Sequence, residues 1–226
     1  MKKNIIATAV AMLLSTATHA DSTAVLKLKG VLTNDACTPT LSDGGIVDFG
    51  TNYVSALSAT ADNQLGHKDI TLTIACTAAT KVAWTINDNN ADSVKKLTIE
   101  DATFTGNEAW SSTVEFGVGK TAGNVNIGAY SVAMNRNITV DGGAKQVGLS
   151  SDGVAWTPAD SDAQLLTHSS GLFMFSAMNI ENNDLVPFTN AVFPLRVALA
   201  VQKTDALAIT DDTPITGQAT ITLRYL

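Results

Sequence analysis

The sequence predicts an all-β protein, a sandwich of short strands, and three observations carry that prediction. Residues 217–226 (GQATITLRYL) alternate without a break: Ala219, Ile221, Leu223 and Tyr225 are apolar, with Gln218, Thr220, Thr222 and Arg224 between them. A period of two marks a strand with one buried face and one wet face. Similar short stretches recur along the chain between turn clusters such as Gly44-Gly45 and Asn87-Asp88-Asn89-Asn90, and no stretch shows a convincing helical period. The composition agrees, with abundant Thr, Val, Gly and Asn and only 5 prolines in 226 residues. Many short strands without intervening helices pack as sheet on sheet.

Taken from its start, the chain opens on a targeting segment, residues 1–20 (MKKNIIATAVAMLLSTATHA). Lys2 and Lys3 give the charged start, Ile5 to Leu14 a short apolar core, and Thr18-His19-Ala20 a small-residue cleavage site before Asp21. These flanks favour cleavage over an uncleaved anchor. The apolar run is too short to span a bilayer, and no later stretch is long enough. The expected mature protein is exported, soluble and not membrane-spanning. Removing 20 of the 226 residues leaves 206, enough for one large β-domain. The leader carries two of the 14 basic residues and no acid, which leaves 12 against 21 and a net charge of −9. That sign argues against nucleic acid, which needs a basic stripe.

Ala24, Leu26, Leu28, Gly30 and Leu32 form a second alternating stretch, with Lys27 and Lys29 on the opposite face. The chain stops at the end of its last strand, and the expectation is that no further strand of its own covers that side. Both ends then read as strands in search of an edge. Proteins usually blunt or cover an open apolar edge; one left available suggests strand addition by another chain.

Two cysteines, Cys37 and Cys76, remain in a chain bound for an oxidising compartment, and pairing is the default reading. Closing a loop of about 40 residues is worth about 4 kcal/mol in the loop-entropy model. A metal site fails for want of ligands: the histidines of the mature chain are His67 and His168, and neither has a nearby cysteine.

The central strands are predicted at 46–49, 70–76, 82–86, 114–118, 130–134, 138–140, 172–178 and 192–201, followed by the terminal strand. Cys76 should share a face with Ile70, Leu72 and Ile74, and Trp84 should lie in the core. Residues 141–162 are the loopiest stretch and read as an insertion between strands, since too little chain follows to build a second core.

No catalytic or cofactor signature in the sequence is complete. Gly119-Lys120-Thr121 lacks the P-loop glycine, having Val114 in its place, and Ala122-Gly123-Asn124 is a turn where a helix should start. No G-x-S-x-G elbow is present. His168 reads as a solvated loop residue, and Asp160, Asp162, Asp211 and Asp212 lack the further ligands of a calcium loop. Trp84, Trp110 and Trp156 are too dispersed for an aromatic platform. The expectation is a non-enzyme without cofactor or metal.

The two ends together resemble subunits of chaperone–usher fimbriae. Gly30 lies seven residues before Cys37, Cys76 follows about forty residues on, and Tyr225 is the penultimate residue, as in that family. The middle stretches TPTLSDGGIVDFG, FGVGKTAGNVNIGAYSV and VPFTNAVFPLRV are similar to a branch of exported fimbrial-like proteins. The resemblance implies an immunoglobulin-like β-sandwich of pilin type over residues 34–226, lacking its last strand. A periplasmic chaperone would lend that strand, an outer-membrane usher would follow, and a neighbouring subunit's extension would replace it. Residues 21–33 would be the donor extension, with Ala24, Leu26, Leu28, Gly30 and Leu32 as donor residues. Ala219, Ile221, Leu223 and Tyr225 would form the acceptor strand. The alternative is a periplasmic fimbrial-like accessory or binding protein that does not polymerise. A closed monomeric sandwich that pairs its own first and last strands, and a carbohydrate-active enzyme, stand behind it. A tip adhesin is disfavoured because such subunits lack the extension.

Overall fold

The alternation around the two cysteines builds the first strand pair. The computed structural model describes residues 27–30, 36–159, 164–167 and 173–226. The chain divides into two units, residues 1–34 and 35–226. Of the first, only residues 27–30 are described, and they carry no regular secondary structure. The predicted leader (1–20) and Ala24, Leu26, Leu32 and His168 lie outside the described residues.

The second unit is all-β. Its strands are β1 (Cys37–Leu41), β2 (Asn63–Thr80), β3 (Val82–Asp88), β4 (Glu115–Gly117), β5 (Gly128–Met134) and β6 (Asn137–Val140). They continue with β7 (Gly143–Ser150), β8 (Thr157–Pro158), β9 (Gln164–Leu165), β10 (Met174–Met178), β11 (Phe188–Val201) and β12 (Ala219–Tyr225). A single turn of helix, α1 (Thr204–Leu207), interrupts them late in the chain. No helix among the described residues is long and apolar enough to cross a membrane.

Neighbouring strands run in the order β1-β2-β11-β6-β7-β10-β3-β12, with β5 also on β11, and β4 and β9 on β5. The two ends of that path return towards each other. The Cys37 amide donates a 2.8 Å hydrogen bond to the Tyr225 hydroxyl. The result is a sandwich or barrel-like sheet wrapped round an apolar core. Trp84 is fully buried there, its ring 4.8 Å from that of Phe175 and 5.5 Å from that of Phe193. In β1 and β2, Cys37 stands directly opposite Cys76, and the two are bonded as predicted.

The central strand β11 explains the layering. Residues 191–192 pair with β6, and residues 195–201 pair with β5. Pro194, which has no amide hydrogen, sits at the switch between these neighbours, where a missing ladder bond costs least. Opposite the far end of β11, β2 carries a bulge: Gly66 and Gln64 face consecutive residues of β11 while Leu65 is extra. Gly66 takes φ +81°, a conformation that favours glycine in such an irregularity.

Beyond the bulge, Leu72 and Ile74 point inward and His67 and Asp69 outward. A cover, residues 94–114, lies over that outer side. It is a small bridged loop (Ile99 opposite Ala109) whose Leu97, Ile99 and Ala102 pack on Ala129, Ala198 and Ala200. Polar groups clasp it. Gln64 pairs with the backbone of Thr98 and Glu100, at 2.8 and 3.1 Å. Arg196 holds Asp69 through two bonds of 2.8 and 3.1 Å, donates to the Thr103 carbonyl at 3.1 Å, and lies 4.8 Å from the Phe104 ring centre. His67 Nδ1 lies 2.9 Å from Asp101.

Two strand expectations require correction. Residues 46–49 are not a paired strand: they follow a tight turn at Ser42–Gly45, and the amides of Val47, Asp48 and Phe49 make no hydrogen bond among the described residues. The stretch 141–162 is not mainly loop. Asp141 (φ 47°) and Gly142 (φ 80°) form a tight hairpin turn from β6 into β7, and β7 is a full strand paired with β10. Asp-Gly with both φ angles positive is the hairpin turn whose twist matches paired strands.

Candidate functional site: an apolar groove between the first and last strands

Between the Cys37–Tyr225 contact and the end of α1, the two terminal strands part. β12 pairs with β3 on one edge, from Ala219 opposite Asp88 to Tyr225 opposite Val82, and no strand lies on its other edge among the described residues. Facing it, β1 continues into the extended, unpaired residues 46–49. Val47 and Phe49 turn inward there, while Ile46 and Asp48 turn to solvent.

The space between is a groove of about 420 Å³. Its depth is formed by Tyr130 and Val132 of β5 and by Leu195, Val197 and Leu199 of β11. Ile86, Ala219 and Ile221 line one side, and Leu41, Val47, Phe49 and Ile70 the other. Gly217 is required where the groove narrows: a Cβ there would come within 2.7 Å of the Tyr130 ring. Burial, with the Asp88 carboxylate adding to it, pushes the Tyr130 hydroxyl well above its ordinary pKa, so the ring stays neutral.

A second cavity of about 580 Å³ adjoins the first and shares Val47, Phe49 and Ile215 with it. Leu57, Leu65, Ile127, Val201, Leu207 and Ile209 make it apolar, and Asp48, Asp211 and Asp212 stand at its margin. The two cavities lie side by side along this wall, and the Cys37–Tyr225 bond ties β1 to β12 at the end of the strand path.

The sequence-predicted residues fall on this site unevenly. Ala219, Ile221 and Leu223 face the core from β12 but remain only half-buried, as residues of an uncovered edge should. Tyr225 departs from the alternation: it is 55% exposed and uses its hydroxyl to hold Cys37. Leu28 is 96% exposed, and a Cβ added at Gly30 would meet nothing within 4 Å. The walls made by residues 47–57 and 209–215 escaped the sequence reading, although Val47 and Phe49 gave a signal in their alternation.

Lys120 bonds Asp92 at 3.2 Å in a loop where Gly119 has φ +93°, with no helix after it. Among the described residues, no three of His, Cys, Asp and Glu group as metal ligands. Trp110 is 66% exposed, and Trp156 donates its indole N–H to the Gly153 carbonyl at 3.3 Å.

Comparison with known proteins places the chain among relatives. Residues 26–131 match the family described as "Protein of unknown function (DUF1120)". The chain is 30% identical to the Uncharacterized protein YhcF of Escherichia coli (strain K12) over 220 residues, covering 89% of this chain and 90% of that one. It is 31% identical to Protein GltF of the same organism over 252 aligned positions, covering 100% of this chain and 99% of that one.

Proposed function

The chain belongs to the DUF1120 family, and from its open groove we propose that it is a structural subunit of a chaperone–usher fimbria. In this reading the leader is removed and the chain is exported to the periplasm. Its β-sandwich is of the immunoglobulin-like pilin type and lacks its last strand. A periplasmic chaperone first fills the gap, the usher receives the complex, and the residue 21–33 extension of a neighbouring subunit replaces the chaperone strand in the fibre at the cell surface. The role is architectural rather than catalytic.

One observation carries the reading: among the described residues the apolar groove has backbone without a strand partner along both sides, at residues 46–49 and on the free edge of β12. An added strand could form a ladder there while placing alternate side chains over Tyr130, Val132, Leu195 and Val197. Burying Leu26, Leu28 and Leu32 of such a strand would contribute about 1.5–3 kcal/mol each before ordering costs. A slip of one residue would present Lys27 and Lys29 to the groove instead, so the alternation sets the register.

Gly30→Leu tests it. Gly30 lies in a stretch without regular secondary structure, outside the unit of residues 35–226, so the subunit should fold and co-purify from periplasm with a chaperone-sized partner. As a donor it should fail, because a large side chain would enter the narrow part of a neighbour's groove, and polymer visible on unboiled gels should disappear. Polymer formed as readily by Gly30→Leu as by wild type would sink the donor assignment. Absence of both polymer and chaperone-sized partner for wild type would favour the non-polymerising accessory protein.

A further inference from the structure

Resting on the open-groove reading above, we propose that the strand this groove selects comes from a second copy of this chain, and that charge makes the selection. The residues lining the two adjoining cavities include three carboxylates, Asp48, Asp211 and Asp212, and no Lys, Arg or His. All three are exposed at the margin rather than in the apolar depth. Asp48 accepts a hydrogen bond from the Gly50 amide and Asp211 from the Thr210 hydroxyl, at 2.7 and 3.1 Å. None of the three pairs with a cation among the described residues. The margin of the second cavity is therefore acidic, with no cation among its lining residues, and the nearest basic group on the outward face of β12 is Arg224 at its far end.

The chain's own alternating stretch has the complementary pattern. Paired as a strand, Leu26, Leu28, Gly30 and Leu32 would share one face, with Lys27 and Lys29 as the charged residues of the other. With the leucines seated in the groove, a period of two puts both lysines outward at the margin. Nine residues extended span about 30 Å. β12 covers about 24 Å of that, and residues 211–215 line the adjoining cavity. A donor with neutral or acidic outward residues would find the same apolar depth without the attraction, and an acidic one would be repelled. The pairs are exposed, so each is worth little alone and depends on salt. Their use is discrimination between otherwise similar strands and faster encounter.

The test uses the full mature chain at micromolar concentration, with oligomers counted by mass photometry. Wild type should self-associate, about tenfold more weakly when salt rises from 0.05 to 0.5 M (about 1.4 kcal/mol). Lys27→Glu with Lys29→Glu should weaken association at least tenfold, as should Asp211→Lys with Asp212→Lys. Mixing the two double variants should restore it, since each supplies the charge the other lacks. Charge variants that associate as wild type, while Leu28→Asp does not, would overturn electrostatic selection and leave the groove reading standing. A wild-type chain that remains monomeric would overturn recognition of a second copy. Stabilisation of that monomer by an unrelated alternating apolar peptide would show that the groove still accepts a strand, and Leu28→Asp associating as wild type would undo the groove reading itself.

Discussion

The two faces of β11 meet different neighbours. On the outer face, Ala198 and Ala200 lie beneath residues 94–114, with Ile99 and Ala109 fully buried over them and Arg196 clasping the loop through Asp69 and Thr103. On the inner face, Leu195, Val197 and Leu199 line a groove whose sides at Val47, Phe49, Ile70 and Ile221 remain half-buried. Small residues let the chain lay its own backbone close on one face, and polar side chains fix that backbone in place. The other face presents large apolar side chains between two edges that have no strand partner among the described residues, and it stays partly open. The comparison teaches that exposure here follows from which backbone is available to cover a face, not from how apolar that face is.

The largest expected effect separates the groove wall from the cover. The disulfide fixes β1, one wall of the groove, on β2. Cys76→Ser should cost about 4 kcal/mol in the loop-entropy model. In native-state hydrogen exchange, the loss should appear first as faster exchange in β1 and the adjoining wall, with residues 94–114 following only on global unfolding. Equal early exposure of both regions would mean that the cover and the groove open as one unit.

A pair of truncations gives the next effect. Ile99→Ala empties a fully buried site in the cover and should cost about 2–4 kcal/mol. Ile221→Ala, on a half-buried groove side, should cost about 1 kcal/mol in the free chain. Urea denaturation reads both. With a strand bound, the Ile221 cost should rise towards the Ile99 value. A cost for Ile221→Ala that stays the same when the groove is filled would show that the groove side is already as well packed as the cover.

The smallest effect is the clasp's share of the pH dependence. The Arg196 hydrogen bond holds the Asp69 carboxyl below its ordinary value against the opposing effect of burial, and the Arg196 and His67 charges add to the lowering. A depressed folded-state pKa contributes stability that is present above the unfolded value near 4 and is lost as pH falls through the folded value. Thermal unfolding of wild type should therefore lose stability below about pH 4, and Asp69→Asn should show a shallower decline. Parallel pH curves for the two proteins would remove the clasp from the account.

Much of this architecture was legible in the sequence, because period two writes itself on strands with one wet face. The terminal strand, β3 and the disulfide-bearing part of β2 were read correctly on that signal, and Cys37 and Cys76 paired as their number and setting implied. The hairpin at Asp141-Gly142 was missed because β7 is rich in Gly, Lys and Gln, which hide the alternation. Its turn dipeptide was nonetheless in plain view. Residues 46–49 read as a paired strand because alternation reports which side chains turn inward, and says nothing of whether a neighbour accepts the backbone bonds. Tyr225 broke its pattern for a different reason: its hydroxyl finds the Cys37 amide across the gap, a long-range contact that no local period encodes.

The position of the disulfide also decides how the molecule would bear tension. A pull applied through the residues preceding Cys37 does not have to peel the five-residue β1 from its neighbour bond by bond. The covalent link passes the load directly to Cys76, well inside β2. From there it runs along the β2–β11 ladder, which extends from Asn63 to Thr80 on one side and from Phe188 to Val201 on the other. Loaded along the strand axis, many hydrogen bonds of such a ladder must break together, whereas a reduced protein would surrender β1 first and yield at a lower force.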